Sequence, residues 1–202
     1  MIHIVDYGAG NLFSVKNALE YLHIDNKITA EPADLAEADG IILPGVGAFR
    51  DAMTMLNNNG FTEAIKAQVA AGKPLLGICL GMQMLFEKGY EFGETDGLGL
   101  IPGCVQLIDG GGLKIPHMGW NDLTVLNGCA LSADVNDGDY VYFVHSYRAE
   151  TSDDYISCYA TYNEKIPGLV FRGNVYGAQF HPEKSGQVGM NILKNFAKLV
   201  TK

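Results

Sequence analysis

Cys79 is the residue of this sequence best suited to act as a nucleophile. It follows the apolar run 75–78 and precedes a helix-like pattern, with Gly77 and Gly81 on either side. Such glycines suit a tight strand-to-helix turn that presents one side chain. At the start of a helix, the helix dipole also favours the thiolate form of a cysteine. From this segment alone, a buried core cysteine is the alternative.

A nucleophilic thiol needs a base, and His181 is the candidate. It stands at the end of an apolar strand, with Glu183 two positions later. If the chain stays extended, both side chains point to the same side, and the carboxylate fixes the imidazole tautomer. A solvated strand end is the alternative reading. His117 and His145 have no acidic residue two positions away, so His145 is expected to contact substrate or to pack.

Backbone N–H groups near Cys79 are the third chemical element. Attack of a thiolate on an amide places negative charge on oxygen, which such donors stabilise. Leu80, directly after the nucleophile, offers one N–H group. The glycine-rich turn Gly45-Val46-Gly47 follows a neighbouring strand and offers another, although a tight turn without a catalytic role would show the same residues.

The first half of the chain alternates strand and helix patterns, which predicts a mostly parallel sheet with helices on both faces. Catalytic residues then gather at the carboxyl ends of the strands. Pro44 is expected to stop the third strand, and Asn11 to cap the first helix. The predicted strands are 2–5, 27–29, 41–43 and 75–78, and the predicted helices are 12–22, 49–56, 62–71 and 80–87.

The second half has a different pattern. Residues 104–180 are mostly β, with aromatic-rich strands broken by Gly and Asn/Asp turns, which indicates an antiparallel section beside the parallel sheet. A helix is predicted over 187–202. Neither an internal repeat nor a linker interrupts the pattern, so we expect a single domain over residues 1–202.

Composition excludes several classes of function. The net charge is −9 and the Lys and Arg residues form no cluster, which argues against nucleic-acid binding. No apolar run approaches the length of a membrane span. The four cysteines form no C-x-x-C pair, so neither a metal site nor a redox motif is expected. These observations favour a reduced, cytoplasmic protein.

Two motifs together resemble the class I (triad) glutamine amidotransferases. They are the segment 77–83 around Cys79 and the segment 181–183, His-Pro-Glu. The resemblance spans essentially the whole chain. It implies a flavodoxin-like α/β fold without metal or cofactor. It also implies that Cys79 attacks the side-chain amide of L-glutamine, that His181 moves protons, and that Glu183 orients His181.

Four further stretches resemble the glutaminase subunits that serve histidine biosynthesis; they are 4–15, 44–49, 116–121 and 142–147. The implied glutamine contacts are Gly47, Gln83, Ser146 and Tyr147, and the implied oxyanion donors are Leu80 and the turn Gly45-Val46-Gly47. Two alternatives stay open. One is a glutaminase subunit of another pathway, such as pyridoxal phosphate synthase, although this chain lacks the Gly-Gly-Glu-Ser segment typical there. The other is a non-catalytic scaffold subunit.

The resemblance also implies a partner, a cyclase subunit with a (β/α)8-barrel fold that receives the ammonia in a heterodimer. The residues expected to face it are Asn11, Trp120, Tyr142 and Lys184. Aromatic residues are enriched at interfaces, but a half-buried strand or a solvated lysine would look the same. Because glycine allows unusual backbone orientations, one oxyanion N–H in the turn 45–47 is expected to point away until the partner binds.

Overall fold

An eight-stranded sheet forms the centre of this protein, whose computed structural model describes residues 1–200. In chain order, the strands are β1 (Ile2–Val5), β2 (Asn26–Thr29), β3 (Gly40–Gly45), β4 (Leu75–Cys79), β5 (Phe86–Gly89), β6 (Thr95–Asp96), β7 (Ile101–Leu107), β8 (His117–Asp122), β9 (Thr124–Val125), β10 (Tyr140–His145), β11 (Tyr147–Glu150), β12 (Ile156–Tyr162), β13 (Glu164–Arg172) and β14 (Val175–Ala178). The α-helices are α1 (Leu12–Tyr21), α2 (Phe49–Asn58), α3 (Phe61–Ala70), α4 (Leu80–Gln83) and α5 (Gly186–Val200). The 3-10 helices are Pro32–Glu37, Asp153–Tyr155 and Pro182–Lys184.

The main sheet joins a parallel part to an antiparallel part. Its strand order is β2-β1-β3-β4-β14-β13-β12-β9. The pairs from β2 to β14 in this order are parallel, and those from β14 to β9 are antiparallel. The mostly parallel sheet with an added antiparallel section, predicted from the sequence, is confirmed.

Helices cover both faces of the parallel strands, as buried parallel sheets require. Successive strand residues point to opposite faces, so Ile41 and Ile42 enter different cores. Helices α1 and α5 pack on the face of Ile42, and α2 and α3 pack on the face of Ile41. The carboxyl ends of β3 and β4 lie side by side, with Gly45 paired to Cys79.

The helix after Cys79 is shorter than predicted. The apolar pattern predicts a helix over 80–87, whereas α4 ends at Gln83 and the chain soon enters β5. Past α4, the carbonyl of the buried Met84 accepts a hydrogen bond from Leu98 N–H, which ties this stretch to the segment before β7. An uninterrupted apolar run does not distinguish a buried helix from a buried strand, and here tertiary pairing decides.

Two expectations at the ends of elements need correction. Asn11 occupies the N-cap position of α1, as predicted, and its carbonyl accepts from Val15 N–H, but its side chain makes no capping hydrogen bond; its φ of −89° and ψ of 61° lie outside the extended conformation of a typical N-cap. Strand β3 continues through Pro44 to Gly45. Its pairing with β1 ends at Ile42, so Pro44 has no hydrogen bond to lose on that side.

Two smaller sheets complete the fold. Strands β10 and β8 form an antiparallel ribbon, and β11-β7-β5-β6 form a four-stranded sheet. The inner face of the ribbon places Val141 and Phe143 in the core shared with α1 and α5. The predicted closing helix is present as α5, and residues 201–202 lie outside the described residues.

Candidate active site

Cys79 stands on a strained turn between β4 and α4. Its φ of 56° and ψ of −114° place a residue with a side chain in a region that favours glycine. Such strain is maintained only where the surrounding structure enforces it, and it is typical of nucleophile turns between a strand and a helix. The cysteine is largely buried, and its sulfur lies 3.9 Å from the carbonyl oxygen of Val144.

Three glycines allow this turn to pack against the neighbouring strand. A Cβ on Gly81 would lie 1.8 Å from the carbonyl oxygen of Leu43. A Cβ on Gly45 would lie 2.6 Å from the Gly81 nitrogen, and one on Gly77 would lie 2.5 Å from the Gly81 oxygen. Only glycine permits these contacts, so α4 lies backbone to backbone against the end of β3. The glycines that predicted the turn therefore position Cys79.

His181 and Glu183 form a buried pair beside Cys79. The Nδ1 atom of His181 lies 2.8 Å from Oε1 of Glu183, and both side chains are almost fully inaccessible to solvent. The pair forms for a different reason than the sequence predicted. The chain does not stay extended after His181, because Pro182 begins a 3-10 turn in which Lys184 N–H bonds to the His181 carbonyl.

The charges around His181 raise its pKa. Burial alone would lower it, but hydrogen bonds with Cys79 and Glu183, together with the negative charges of these groups, raise the pKa to about 9. At neutral pH the imidazole therefore binds a proton readily when the thiol releases one. A histidine with a raised pKa is suited to take the proton of a cysteine nucleophile.

Ser185 ties the loop of His181 to strand β10. Its hydroxyl donates to the carbonyl of His181 at 2.7 Å and accepts from the N–H of Tyr142 at 3.0 Å. The N–H of His181 donates in turn to the carbonyl of Tyr142 at 3.0 Å. Three hydrogen bonds thus join the backbone of His181 to one residue of the ribbon. Ser185 is buried, and no motif of the sequence indicates its role.

A cavity of about 350 Å³ opens in front of Cys79. This volume lies within the range of small-molecule sites. The residues that line it are Val46, Gly47, Cys79, Leu80, Gln83, Glu91, Pro116, Val144, His145, Ser146, Tyr147 and His181. The structure thus brings together the predicted nucleophile, base and substrate-contacting residues. Gly45 lies beside Cys79 in the sheet, and Glu183 bonds to His181.

Gln83 can offer only its amide oxygen to a ligand. Its amide nitrogen donates to the carbonyl of Tyr147 at 2.9 Å and to Oε1 of Gln179 at 3.0 Å. An amide nitrogen has two hydrogens, and both are used within the protein. The side chain is therefore held in one orientation as part of the cavity wall.

Glu91 is a further functional candidate. It lines the cavity, and its Oε2 accepts a hydrogen bond of 2.7 Å from the N–H of Phe49 at the start of α2. The pKa of Tyr147 is raised, first by burial and then by the negative charge of Glu91. A carboxylate fixed in a small cavity suits a cationic group of a ligand. No motif surrounds Glu91, so the sequence carried no signal for it.

The turn after β3 is open on its outer side. Gly47 has a φ of +94°, and no atom lies within 4 Å of the point where a Cβ would be. Val46 is 45% exposed, although both residues also line the cavity. The backbone at this position therefore has room to change orientation.

The four residues predicted to face a partner lie around this end of the fold. Trp120 is 56% exposed and packs edge-on against Tyr142, with ring centroids 6.1 Å apart. The 3-10 turn that ends at Lys184 packs against both β10 and α1, the helix that follows Asn11. Met118 is also exposed, and it pairs across the ribbon with Val144 of the cavity wall. An apolar outer face of the ribbon thus adjoins the cavity.

Neither a metal-ligand cluster nor a membrane-spanning helix is present among residues 1–200. Across residues 1–200, no three His, Cys, Asp or Glu side chains cluster in a way that could hold a metal ion. Within the same residues, no helix has the length and apolar character needed to cross a membrane.

Comparison with known families gives a match over almost the whole chain. The model of the glutamine amidotransferase class-I family matches residues 3–200. A curated relative from Streptococcus sanguinis, named imidazole glycerol phosphate synthase subunit HisH, is 49% identical over 201 residues, which are 99% of this chain and 97% of the relative. A relative of the same name from a Geobacillus species is 50% identical over 206 residues, with 99% and 97% coverage.

Solved structures agree on the fold. A crystal structure described as a glutamine amidotransferase superposes with a TM-score of 0.78 over 100% of both chains, at 20% sequence identity. At this identity the likeness concerns the fold alone.

Proposed function

The chain belongs to the class I glutamine amidotransferase family, and on this premise we propose that it is the glutamine-hydrolysing subunit of an imidazole glycerol phosphate synthase. Curated relatives that are 49% and 50% identical over nearly their full length have this name. The observation that carries the proposal is the arrangement of Cys79, His181 and Glu183 at one cavity. The subunit converts glutamine and water into glutamate and ammonia.

The first half of the reaction forms a thioester. Cys79 gives its proton to His181, and the thiolate attacks the side-chain amide carbon of glutamine. The carbonyl oxygen becomes an oxyanion, which accepts hydrogen bonds from the N–H of Leu80 and from the turn 45–47. Leu80 is the first residue of α4, where N–H groups have no partner within the helix. The oxyanion then collapses, and His181 protonates the departing nitrogen as ammonia.

The second half releases glutamate. Water takes the place that ammonia left, and His181 removes its proton as the oxygen attacks the thioester. Cleavage of the carbon–sulfur bond returns the proton to the Cys79–His181 pair. Glu183 holds the imidazole in the tautomer that faces the thiol throughout, because its carboxylate binds Nδ1–H.

The cavity wall provides the groups that recognise glutamine as an amino acid. The carboxylate of Glu91 and the amide oxygen of Gln83 are acceptors for the α-ammonium group. Ser146 and Tyr147 hold the amino-acid end, and Gly47 contacts the substrate beside the nucleophile. These roles agree with the lining of the cavity.

A cyclase subunit with a (β/α)8-barrel fold is the proposed partner, in a heterodimer that passes ammonia directly between the subunits. It would use the ammonia to make imidazole glycerol phosphate and aminoimidazole carboxamide ribotide in histidine biosynthesis. The outer face of the ribbon supports this proposal, since Trp120 and Met118 are exposed there next to the cavity. Asn11, Tyr142 and Lys184 complete the proposed interface. All four cysteines are free, which fits a reducing, cytoplasmic compartment.

The test is a comparison of nitrogen sources in the complex with the cyclase subunit. Cys79→Ala should abolish glutamine-dependent synthesis and leave synthesis from added ammonia intact. Cys104→Ala, at a cysteine outside the cavity, should preserve both. Failure to bind the cyclase would instead favour an amidotransferase of another pathway. Loss of the ammonia-dependent reaction in Cys79→Ala would contradict the proposed division of labour.

Coupling to the partner is tested by glutamine hydrolysis alone and in the complex. If the turn 45–47 must reorient to complete the oxyanion site, the free subunit should be slow, and the cyclase with its acceptor ligand should accelerate it. Equal rates would exclude this coupling and leave the glutaminase activity itself established.

A further inference from the structure

Two buried histidines of the ribbon form a continuous chain of hydrogen bonds that ends in the cavity wall. His117 on β8 and His145 on β10 are cross-strand partners. Nδ1 of His117 lies 3.0 Å from Nε2 of His145. Nδ1 of His145 lies 2.8 Å from the carbonyl oxygen of Tyr147. At the other end, the amide nitrogen of Asn121 lies 3.3 Å from Nε2 of His117.

The acceptor at the cavity end determines the direction of every bond in this chain. The Tyr147 carbonyl can only accept, so the proton of His145 is on Nδ1, and its Nε2 accepts when the ring is neutral. His117 must then donate from Nδ1 and accept at Nε2. The amide of Asn121 donates to that nitrogen and also to the carbonyl of Thr161, at 3.1 Å. All donors and acceptors match without any charge.

The surroundings keep both rings neutral. Burial lowers the pKa of His117 to about 4. Burial also lowers the pKa of His145 to about 3, despite its bond to Tyr147, and the nearby His117 and His181 lower it further. His117 is stacked between Phe143 and Tyr162, with centroid distances of 4.7 and 4.2 Å. The neutral pair thus contrasts with His181, whose pKa is raised.

The hydrogen-bond chain holds the carbonyl of Tyr147, which also orients Gln83. The Tyr147 oxygen accepts from Nδ1 of His145 and from the amide nitrogen of Gln83, which uses both of its lone pairs. The position of this carbonyl fixes the backbone next to Ser146. It also holds the amide nitrogen of Gln83, so that the amide oxygen of Gln83 is the group that faces a ligand. Loss of the His145 bond would leave this wall free to shift without altering the triad.

We infer that His117 and His145 are positioning residues for glutamine: a one-way hydrogen-bond chain from Asn121 through two neutral imidazoles fixes the wall of the cavity that binds the amino-acid end of the substrate. The inference rests on the proposed glutaminase function. Because the chain acts on the wall and not on the reacting atoms, its loss raises KM for glutamine while kcat is largely kept.

The first test concerns the tautomers and needs no activity. Nitrogen-15 NMR of the histidine-labelled protein, assigned with single variants, should show the proton of His117 and of His145 on Nδ1. The reverse tautomers, with the proton of each ring on Nε2, would leave the carbonyl of Tyr147 without the hydrogen bond from His145. A proton on Nε2 of His145 would overturn the inference.

The second test separates binding from chemistry in the complex with the cyclase. His145→Leu removes the donor and should raise KM on the order of tenfold, the cost of one buried hydrogen bond, with kcat changed less than about threefold. His145→Asn can still donate to Tyr147 from a nitrogen near the position of Nδ1, and should recover most of the affinity. His3→Leu is the control, since His3 is equally buried but bonds to Thr29 outside the cavity.

The outcomes distinguish this inference from the proposed function. An inactive wild-type complex would contradict the proposed function, while the tautomers would still report on the pair. With an active wild type, a raised KM in His145→Leu alone supports the inference. A fall in kcat at unchanged KM would contradict it, and so would an equal effect of His3→Leu, because either result would indicate a different role or a general loss of stability.

Discussion

His181 and the pair His117–His145 lie in two adjacent regions and have opposite electrostatic states. His181 follows β14, the strand next to β4 in the main sheet, and its pKa is raised to about 9. The ribbon histidines are also buried, yet their pKa values are lowered to about 4 and 3. Burial lowers the pKa in all three cases. The difference is that His181 has the partners Cys79 and Glu183, which become negative, whereas the ribbon pair has only neutral partners.

This contrast shows how one cavity can contain two histidines with separate tasks. A histidine that exchanges protons needs a counter-charge, so that its charged form is accessible at neutral pH. A histidine that holds a wall needs a fixed tautomer and no charge, because a second cation would compete for the thiolate. The role of each histidine therefore depends on the hydrogen-bond partners of its ring and not on its burial.

The strongest way to break the comparison is to remove each imidazole in turn. His181→Gln should lower kcat for glutamine hydrolysis on the order of 10²–10⁴-fold, because the thiol loses its base and the ammonia its proton donor. His145→Asn is the matched change in the ribbon and should alter kcat less than about threefold. Steady-state glutamate release from the complex measures both. Similar losses in kcat would mean that the two regions share the proton transfer.

A smaller effect is expected when the counter-charge of His181 is neutralised. Glu183→Gln should lower the pKa of His181 and reduce kcat by about 10²-fold, since the imidazolium loses the carboxylate that stabilises it. NMR titration of the His181 ring measures the pKa directly. Glu91→Gln is the matched control in the same cavity: it should raise KM and leave this pKa unchanged. An unchanged pKa in Glu183→Gln would show that Cys79 alone sets it.

The main sheet and its triad could be predicted from sequence because their signals are local. Glycine spacing predicted the turn at Cys79, and a two-residue separation predicted the pair of His181 and Glu183. That pair forms even though the chain turns at Pro182, because a short separation keeps the two side chains close in either conformation. The predicted catalytic roles still await the measurements above.

The histidine pair of the ribbon and the place of Glu91 in the cavity wall could not be predicted, because these contacts join residues that are distant in sequence. His117 and His145 are 28 positions apart and meet only through the register of β8 and β10. Glu91 reaches Phe49 across 42 positions, and nothing near it in the chain indicates a site. The helix predicted over 80–87 failed for the same reason, since pairing with later residues ends α4 early.

Removal of one hydroxyl group, that of Ser185, should weaken the link between His181 and the ribbon. Ser185→Ala removes two of the three hydrogen bonds between the backbones of His181 and Tyr142, and should lower kcat roughly 3–10-fold by loosening the base. Ser132→Ala is the control, because Ser132 is buried and hydrogen-bonded to Ser157 away from the cavity. Each variant should lose about 1 kcal/mol in the free energy of unfolding. A normal kcat in Ser185→Ala would show that the base needs no tie to the ribbon.

The smallest effect concerns stability against pH. A histidine whose pKa is lowered by folding is neutral in the native state and takes up a proton on unfolding below pH 6.5, so its contribution is complete above pH 6.5 and is lost as the pH falls toward its folded value. For His145, with a folded pKa of about 3, this amounts to roughly 2 kcal/mol between pH 7 and pH 5. His181 has the opposite sign, because its raised pKa contributes stability below pH 6.5 that is lost as the pH rises through about 9.

Urea unfolding of the wild type and of His145→Asn at pH 5 and pH 7 isolates the contribution of His145 to the free energy of unfolding, since all other groups titrate in both proteins. The variant should be less stable than the wild type at pH 7, and the gap should shrink by roughly 2 kcal/mol at pH 5. A constant gap would mean that His145 titrates alike in the folded and unfolded states. The ribbon would then hold a charged imidazole beside His181, and the contrast between the two regions would be lost.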